Sequence, residues 1–331
     1  MKFTLIVCTY KRPHALGNLL ASVKLQTVYP DEILIVDGSP DDATQRMLEA
    51  NPMVHLTYYK VDESNRGLTK QRNYGIARVA PSSEVVCFLD DDTVLKPNYF
   101  EAVITAFQSN EKITGVGGVA VNENQWVPIN PSKKYKRNEF FTLEGFVVKE
   151  ALRNKIRNDL GLQSNLLPGK MPDYSHGRTC GYPLTGKNYE VDLLIGMSMS
   201  FRKKVVDSIS FSKYFEGYGL YEDADFSIRA LQFGSNVICT QAQLEHHHDP
   251  AGRPNQYHYG KMVVRNGWYV WRVKYPYPSF SARWKWHAIT LLLTAIRATN
   301  IITTSKKKEA FTETLGRVVG WCSLFWDRPK I

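Results

Sequence analysis

At residues 85–92 the chain reads VVCFLDDD, a run of five apolar residues followed directly by Asp90, Asp91 and Asp92. A short run rich in β-branched residues is typical of a buried strand. Three adjacent carboxylates repel one another, so the end of this strand needs a compensating cation. Because Mn²⁺ and Mg²⁺ prefer hard oxygen ligands, we predict one of these two ions here. The alternative interpretation is a solvated acidic turn.

The segments before this strand alternate between strand-like and helix-like patterns. Apolar runs lie at 3–8, 32–36 and 54–61, and helix-like stretches follow them at 13–26, 41–50 and 67–79. This alternation predicts an α/β fold with a doubly wound, mostly parallel sheet that helices cover on both faces. Ligands of such sheets bind beyond the carboxyl ends of the strands, so functional residues should follow the strands directly.

Polar side chains follow each strand of the predicted sheet. Hydroxyl and carboxylate groups there can bond to a base and a ribose, and a helix N-terminus at 65–73, which carries two arginines, can hold an anion. Together at one edge of a sheet, these groups indicate a nucleotide site. The predicted nucleotide-binding set is Thr9, Tyr10, Arg12, Asp37, Ser39, Arg66, Arg72, Asp90 and Asp91.

A second acidic segment follows a glycine-rich loop, in the sequence GYGLYEDAD at 217–225. Carboxylates in the first turn of a helix can simply stabilise the helix N-terminus. The functional interpretation is a rigidly held general base in the site. The predicted catalytic residues are therefore Asp223 and its neighbour Glu222.

Three adjacent histidines, His246, His247 and His248, follow a later strand-like run at 236–244. Imidazole is a common metal ligand. Because side chains alternate along a strand, His246 should share the inner face with Ala242 and Leu244. We predict metal ligation by His246, with His247 as the next candidate.

Residues 251–331 differ in charge from the rest of the chain. They contain 14 Lys and Arg against 3 Asp and Glu, whereas residues 1–250 contain 28 against 29. Six of the seven tryptophans also lie in this tail. We expect a helical, basic and aromatic extension that contacts an anionic membrane through 279–331, with no nucleic-acid partner. The predicted lipid-facing residues are Trp284, Trp286, Leu291, Leu292 and Leu293, although exposed aromatic residues also suit an oligomer contact.

The expected location is cytoplasmic, with peripheral contact at the inner face of the cell membrane. The N-terminal sequence lacks the charged, apolar and small-residue pattern of a signal peptide. No apolar run approaches the roughly 20 residues that a membrane-spanning helix needs.

The motifs taken together resemble family 2 glycosyltransferases, of the kind that builds bacterial surface polysaccharides. The resemblance rests on TYKR after the first strand, VDGS after the second, NRGLTKQRN, LDDD, YEDAD and the later histidine, in this order over 1–250. It implies a GT-A fold, transfer with inversion, and a DxD element formed by Asp90 and Asp92, with Asp92 as metal ligand. It also implies that Thr9, Asp37 and Arg66 surround the nucleotide and that Asp223 is the base.

The resemblance implies a catalytic domain at 1–250 and a helical tail at 251–331. Within the catalytic domain, 1–121 forms the nucleotide-binding half, 122–190 a variable insert and 191–250 the acceptor half. The expected donor is a UDP, GDP or dTDP sugar, and the expected acceptor is a lipid-linked or cell-surface glycan precursor.

Two other functions fit parts of the sequence. A nucleotidyltransferase that forms sugar nucleotides would share the sheet and the carboxylates, but it should carry a glycine-rich loop at 9–13, where this chain has TYKRP. A non-catalytic membrane or nucleic-acid binding protein explains the basic tail but leaves the polar strand ends unexplained.

Overall fold

A computed structural model describes residues 1–178, 180–248 and 255–331. Its first elements are β1 (Phe3–Thr9), α1 (Pro13–Lys24), β2 (Glu32–Asp37), α2 (Ala43–Ala50), β3 (Leu56–Lys60), α3 (Leu68–Ile76), β4 (Val85–Asp90), β5 (Thr93–Leu95), α4 (Tyr99–Ser109) and β6 (Ile113–Ala120). The next are β7 (Val127–Pro128), β8 (Phe140–Leu143), β9 (Phe146–Lys149), α5 (Leu152–Asp159), β10 (Asn188–Val191), β11 (Ser198–Arg202) and α6 (Lys203–Ser208). The last are α7 (Glu222–Ala230), β12 (Ser235–His246), α8 (Gln256–Lys274), α9 (Phe280–Thr303) and α10 (Lys307–Ser323), and short 3₁₀ turns lie at Lys213–Phe215 and Leu231–Phe233.

The chain divides into two compact units. The first contains residues 1–124 and, within the described part of the chain, 184–248; the second contains the described residues of 125–183 and 255–331. Most of the segment predicted as an insert at 122–190 is thus grouped with the C-terminal helices. The predicted boundary at 250 lies outside the described residues, and the predicted domain division stays a prediction.

The first unit is built on a mostly parallel sheet. Among the described residues, nine strands pair in the order β10-β12-β6-β11-β4-β1-β2-β3, and β5 pairs with β12. The strands β3, β2, β1 and β4 are parallel neighbours, as are β6 and β12, while β11 runs antiparallel to both β4 and β6. This architecture confirms the predicted doubly wound α/β fold.

Helices cover both faces of this sheet because the strands are apolar on both faces. Leu5 and Val7 of β1 belong to a core that also contains residues of α1 and α4. Ile6, between them, faces α3. A Cβ added to Gly75 of α3 would lie only 2.8 Å from Ile6 Cγ2, so glycine at this position allows close packing of helix and sheet.

The second unit contains a small antiparallel sheet, in the order β7-β9-β8, and the helices α5, α8, α9 and α10. Trp271 of α8 and Trp286 of α9 stack with ring centroids 5.3 Å apart and nearly parallel planes. Trp271 also donates from Nε1 to the carbonyl oxygen of Asp173 at 2.7 Å. Both indole rings are buried and form part of the core of this unit.

Trp286 is therefore not exposed to lipid as the sequence predicted; its exposed fraction is 1%. Leu292 and Leu293 also pack inward, against a cluster that contains Ile289. Trp284 and Leu291 remain exposed, as predicted. Composition identified an aromatic tail, but only the packing of the helices decides which face of α9 is buried.

Among the described residues, none of the helices combines the length and the apolar character that a membrane crossing requires.

Because Trp286 is buried against Trp271 whereas Trp284 is exposed, substitutions of these two residues of α9 should change the free energy of unfolding by different amounts. Trp286→Ala should lower the free energy of unfolding by about 3–5 kcal/mol, because it leaves a large cavity beside Trp271. Trp284→Ala, at a side chain that is 58% exposed, should change it by about 0.5 kcal/mol or less. Urea titration followed by far-UV circular dichroism measures both, and equal effects would contradict the burial of Trp286.

Candidate active site

The parallel strands bring the predicted polar residues to one edge of the sheet. In the register of β1 and β2, Thr9 pairs with Asp37, and in that of β1 and β4, Cys8 pairs with Asp90. Because β1, β2 and β4 run in the same direction, their carboxyl ends lie side by side. Thr9, Asp37 and Asp90 are therefore neighbours at this edge, as the sequence predicted.

The short strand β5 places His246 beside the carboxylates. Thr93 of β5 pairs with His246 of β12, and the backbone N–H of His247 donates to the carbonyl oxygen of Asp92 at 3.0 Å. As a result, His246 Nε2 lies 3.4 Å from Asp92 Oδ1. One ligand atom from each of Asp90, Asp92 and His246 lies within 4.8 Å of the other two. Two carboxylates and an imidazole at this spacing fit a divalent cation.

The electrostatics of this cluster also favour a cation. Burial raises the pKa of Asp90, and the charge of Asp92 raises it further. Burial alone would lower the pKa of His246, but its hydrogen bond to Asp92 and the charge of Asp92 outweigh burial and raise it. The negative field of the cluster thus favours positive charge at this position, which a bound cation can supply.

Asp91, the middle carboxylate, is held away from this cluster. Its Oδ2 accepts from Thr9 Oγ1 at 2.6 Å, and its Oδ1 accepts from Arg12 Nη1 at 3.1 Å. Burial raises the pKa of Asp91 to about 6, although both partners oppose that shift. The side chain connects the end of β4 to the segment that follows β1.

Arg72 is buried among carboxylates. Its Nη1 donates to Glu222 Oε1, and its Nη2 donates to Asp90 Oδ1 and to the carbonyl oxygen of Gly196, both at 3.2 Å. Only 2% of the side chain is exposed. Burial raises the pKa of Glu222 to about 8, and the charge of Asp223 adds to that shift. The carboxylates therefore exceed the positive charge that Arg72 supplies.

Asp223 is the more accessible carboxylate at the start of α7. It is partly exposed, whereas Glu222 is buried. Its Oδ2 accepts from the backbone N–H of Gly196 at 2.9 Å. A Cβ on Gly196 would lie 3.3 Å from Arg72 Nη2 and 3.5 Å from Asp223 Oδ2, so a larger residue would crowd both groups. Asp223 is thus fixed in position and accessible from solvent.

The side chains at the end of β2 form a buried network. Asp37 Oδ1 accepts from the backbone N–H of Ser39 at 2.8 Å and from its hydroxyl at 2.5 Å, and Asp37 Oδ2 accepts from the Tyr58 hydroxyl at 3.0 Å. Arg66 Nε donates to the carbonyl oxygen of Gly38 at 2.8 Å, and its guanidinium lies 5.8 Å from the centre of the Tyr10 ring. Asp37 therefore supports this loop, while Arg66 and Tyr10 remain accessible at its surface.

The two histidines after His246 differ in their surroundings. The imidazole of His247 is exposed and lies 3.5 Å from Glu245 Oε2, outside the cluster of Asp90 and Asp92. His248 Nε2 lies 2.7 Å from Glu123 Oε1, and the same oxygen is 3.0 Å from His246 Nδ1. Sequence reasoning did not single out Glu123. The rule that functional residues follow the carboxyl ends of the strands would have found Glu123, because this residue comes shortly after the end of β6.

The sequence profile described as glycosyl transferase family 2 matches residues 4–165, which include β1–β6 and the three aspartates. Residues 4–165 belong to this family. Relatives and solved structures of glycosyltransferases agree with that assignment.

Two curated relatives of this family-2 chain act on lipid or surface glycans, according to their names. The chain is 27% identical over 147 residues to a glucosyl-dolichyl phosphate glucuronosyltransferase of Haloferax volcanii. The aligned segment covers 44% of this chain and 45% of the relative. It is 25% identical over 151 residues to an O-antigen chain rhamnosyltransferase of Salmonella typhimurium, with 46% of each covered. The matches thus span somewhat less than half the length of these relatives.

The fold of the family-2 chain is similar to that of a mannosyltransferase of Pyrobaculum calidifontis, solved in complex with GDP-Man and Mn²⁺. The TM-score is 0.52 at 13% identity, and the alignment covers 99% of this chain and 88% of the other. At this identity the likeness identifies the GT-A fold.

Proposed function

We propose that this chain is a glycosyltransferase that moves a sugar from a nucleotide diphosphate donor to a hydroxyl acceptor, with inversion at the anomeric carbon. The observation that carries the proposal is the convergence of two elements at one edge of a family-2 sheet. One is the cluster of Asp90, Asp92 and His246. The other is the accessible carboxylate of Asp223, which Arg72 and Gly196 connect to that cluster.

The donor-binding residues follow from the strand ends. Arg66 is assigned to the nucleotide, with Tyr10 and Arg12 at the rim of the same edge. Thr9 and Asp37 are buried and support this edge, and their own contact with the nucleotide stays a prediction. Asp90, Asp92 and His246 would hold Mn²⁺ or Mg²⁺, which supplies positive charge to the departing diphosphate. A UDP, GDP or dTDP sugar is the proposed donor, and the GDP-Man and Mn²⁺ bound to the structural neighbour support this class.

The sugar is transferred in one in-line displacement. As the acceptor oxygen attacks the anomeric carbon, its proton moves to the carboxylate of Asp223, and the bond from that carbon to the diphosphate oxygen breaks. The transition state has oxocarbenium character. The buried contacts of Glu222 with Arg72 make Glu222 a positioning residue, because its carboxylate already accepts from the guanidinium.

Arg72 has the same positioning role in this scheme. The sequence assigned it to the nucleotide, and that assignment stays a prediction. Its guanidinium is enclosed by Glu222, Asp90 and the carbonyl oxygen of Gly196. We therefore assign the contact with the leaving diphosphate to Arg66, whose side chain is 30% exposed.

The proposed acceptor is a lipid-linked or surface-glycan precursor, reached from the membrane surface. Support comes from the names of the two relatives and from the start of α9. Phe280, Trp284 and Leu291 are exposed there at helical spacing, and Arg283 is exposed beside them. An apolar stripe flanked by cations suits an anionic membrane interface.

Asp223→Asn tests the proposed base. The variant should fold and bind donor nucleotide like the wild type, but turnover should fall by roughly 10²–10⁴-fold, because the amide cannot accept the proton. Release of nucleotide diphosphate from a panel of nucleotide sugars provides the measurement. Asp207→Asn, which changes an exposed aspartate that pairs with Lys203 away from the site, is the matched control. Near wild-type turnover in Asp223→Asn would exclude this residue as the base.

Flotation with lipid vesicles tests the proposed membrane contact. The full chain should float with anionic vesicles at low salt and bind neutral vesicles less, since each basic residue near the surface adds about 1 kcal/mol. The double variant Phe280→Ser, Trp284→Ser should reduce flotation strongly. Leu25→Ser, which removes an exposed apolar side chain of the first unit, should not. Equal flotation of all three proteins would refute the contact.

A further inference from the structure

Glu123, His246 and His248 form a second group of possible metal ligands beside the first. Glu123 Oε1 lies 2.7 Å from His248 Nε2 and 3.0 Å from His246 Nδ1. The rings of the two histidines have centroids 4.0 Å apart. One ligand atom from each residue lies within 4.8 Å of the other two. This group uses the opposite nitrogen of His246 from the one that faces Asp92.

The backbone holds Glu123 at this position. Asn122 donates from Nδ2 to the carbonyl oxygen of His246 at 2.8 Å, and its Oδ1 accepts from the His246 N–H at 3.0 Å. The Asn122 side chain thus pairs with both backbone groups of His246, as a neighbouring strand would. These bonds hold the backbone of the next residue, Glu123, beside His246, so that its carboxylate can reach the imidazole.

We propose that Glu123, His246 and His248 form a second metal site that binds Zn²⁺ or a similar borderline transition metal. Two imidazoles and one carboxylate are a frequent ligand set for zinc. Tetrahedral bonds of about 2.0–2.2 Å place ligand atoms about 3.4 Å apart. The distances from Glu123 Oε1 to His248 Nε2, 2.7 Å, and to His246 Nδ1, 3.0 Å, are each within about 1 Å of this ligand spacing. Rotation of the exposed Glu123 and His248 side chains can supply the adjustment.

The second site competes with the first for His246. A neutral imidazole has one nitrogen with a free lone pair. When Nε2 binds a cation beside Asp90 and Asp92, Nδ1 carries hydrogen and donates to Glu123. When Nδ1 binds zinc, Nε2 carries hydrogen and donates to Asp92. The two occupancies therefore exclude each other, and zinc should antagonise the donor metal; this consequence rests on the proposed function, whereas the zinc site itself does not.

Zinc binding to the metal-free full chain tests the site without any sugar donor. Competition with a chromogenic zinc chelator should give one Zn²⁺ per chain. His248→Ala and Glu123→Gln should each weaken binding by at least about tenfold, because loss of even an outer-shell partner costs about 10–100-fold. His247→Ala is the matched control, since it removes an adjacent exposed histidine outside the cluster. Each variant should keep the wild-type melting temperature without metal.

Three results would overturn the zinc site. One is unchanged zinc affinity in both His248→Ala and Glu123→Gln. Another is an equal loss in His247→Ala, which would indicate adventitious binding by surface histidines. The third is loss of zinc binding in Asp92→Ala alone, which would place zinc between Asp90, Asp92 and His246.

A parallel measurement separates this proposal from the proposed function. Zn²⁺ should reduce the Mn²⁺-dependent stabilisation by nucleotide diphosphate in the wild type but not in His248→Ala, which should bind nucleotide normally. Equal antagonism in both proteins would overturn the competition. If the wild type binds zinc as expected but no nucleotide stabilises it, the proposed function fails and the zinc site stands.

Discussion

The rest of the site depends on the contacts that the buried guanidinium of Arg72 makes. It joins the end of β4 through Asp90, the turn before β11 through Gly196, and the start of α7 through Glu222. Removing one partner from such a buried group is costly because the remaining charge is left uncompensated. Burial raises the pKa of Glu222, and the charges of Asp223 and Asp90 raise it further, because one guanidinium does not neutralise all three carboxylates. The same excess of negative charge makes the neighbouring cluster a site for a cation.

The topology determines which groups surround this excess charge. Parallel strands place Thr9, Asp37 and Asp90 at one edge, and β5 brings His246 to Asp92 by pairing with the end of β12. Asp223 accepts from the backbone N–H of Gly196, whose carbonyl oxygen accepts from Arg72, and it remains partly exposed. In the proposed function, cation binding and proton acceptance belong to separate carboxylates, although the two groups share one hydrogen-bond network.

The sequence predicted the features that depend on local patterns. Apolar runs located β1, β2, β3 and β4, and the rule for parallel sheets placed Asp90–Asp92 with the other polar strand ends; alternation along β12 correctly directed His246 inward. Contacts between distant segments could not be predicted in this way. The enclosure of Arg72 requires α7, 150 residues further along the chain, and the position of Glu123 requires the pairing of β6 with β12. Trp286 was misassigned because the amphipathic pattern of α9 does not reveal which face packs against α8.

Thermal stabilisation by nucleotide diphosphates tests the central claim most directly. UDP, GDP, dTDP and CDP would each be added to the wild type and to Asp92→Ala, with and without Mn²⁺. The account predicts that one nucleotide stabilises the wild type only with Mn²⁺, by about 2.7 kcal/mol at a concentration of 100 times its Kd, and that Asp92→Ala abolishes the effect. No stabilisation by any nucleotide at millimolar concentration, or the same stabilisation in Asp92→Ala, would contradict it.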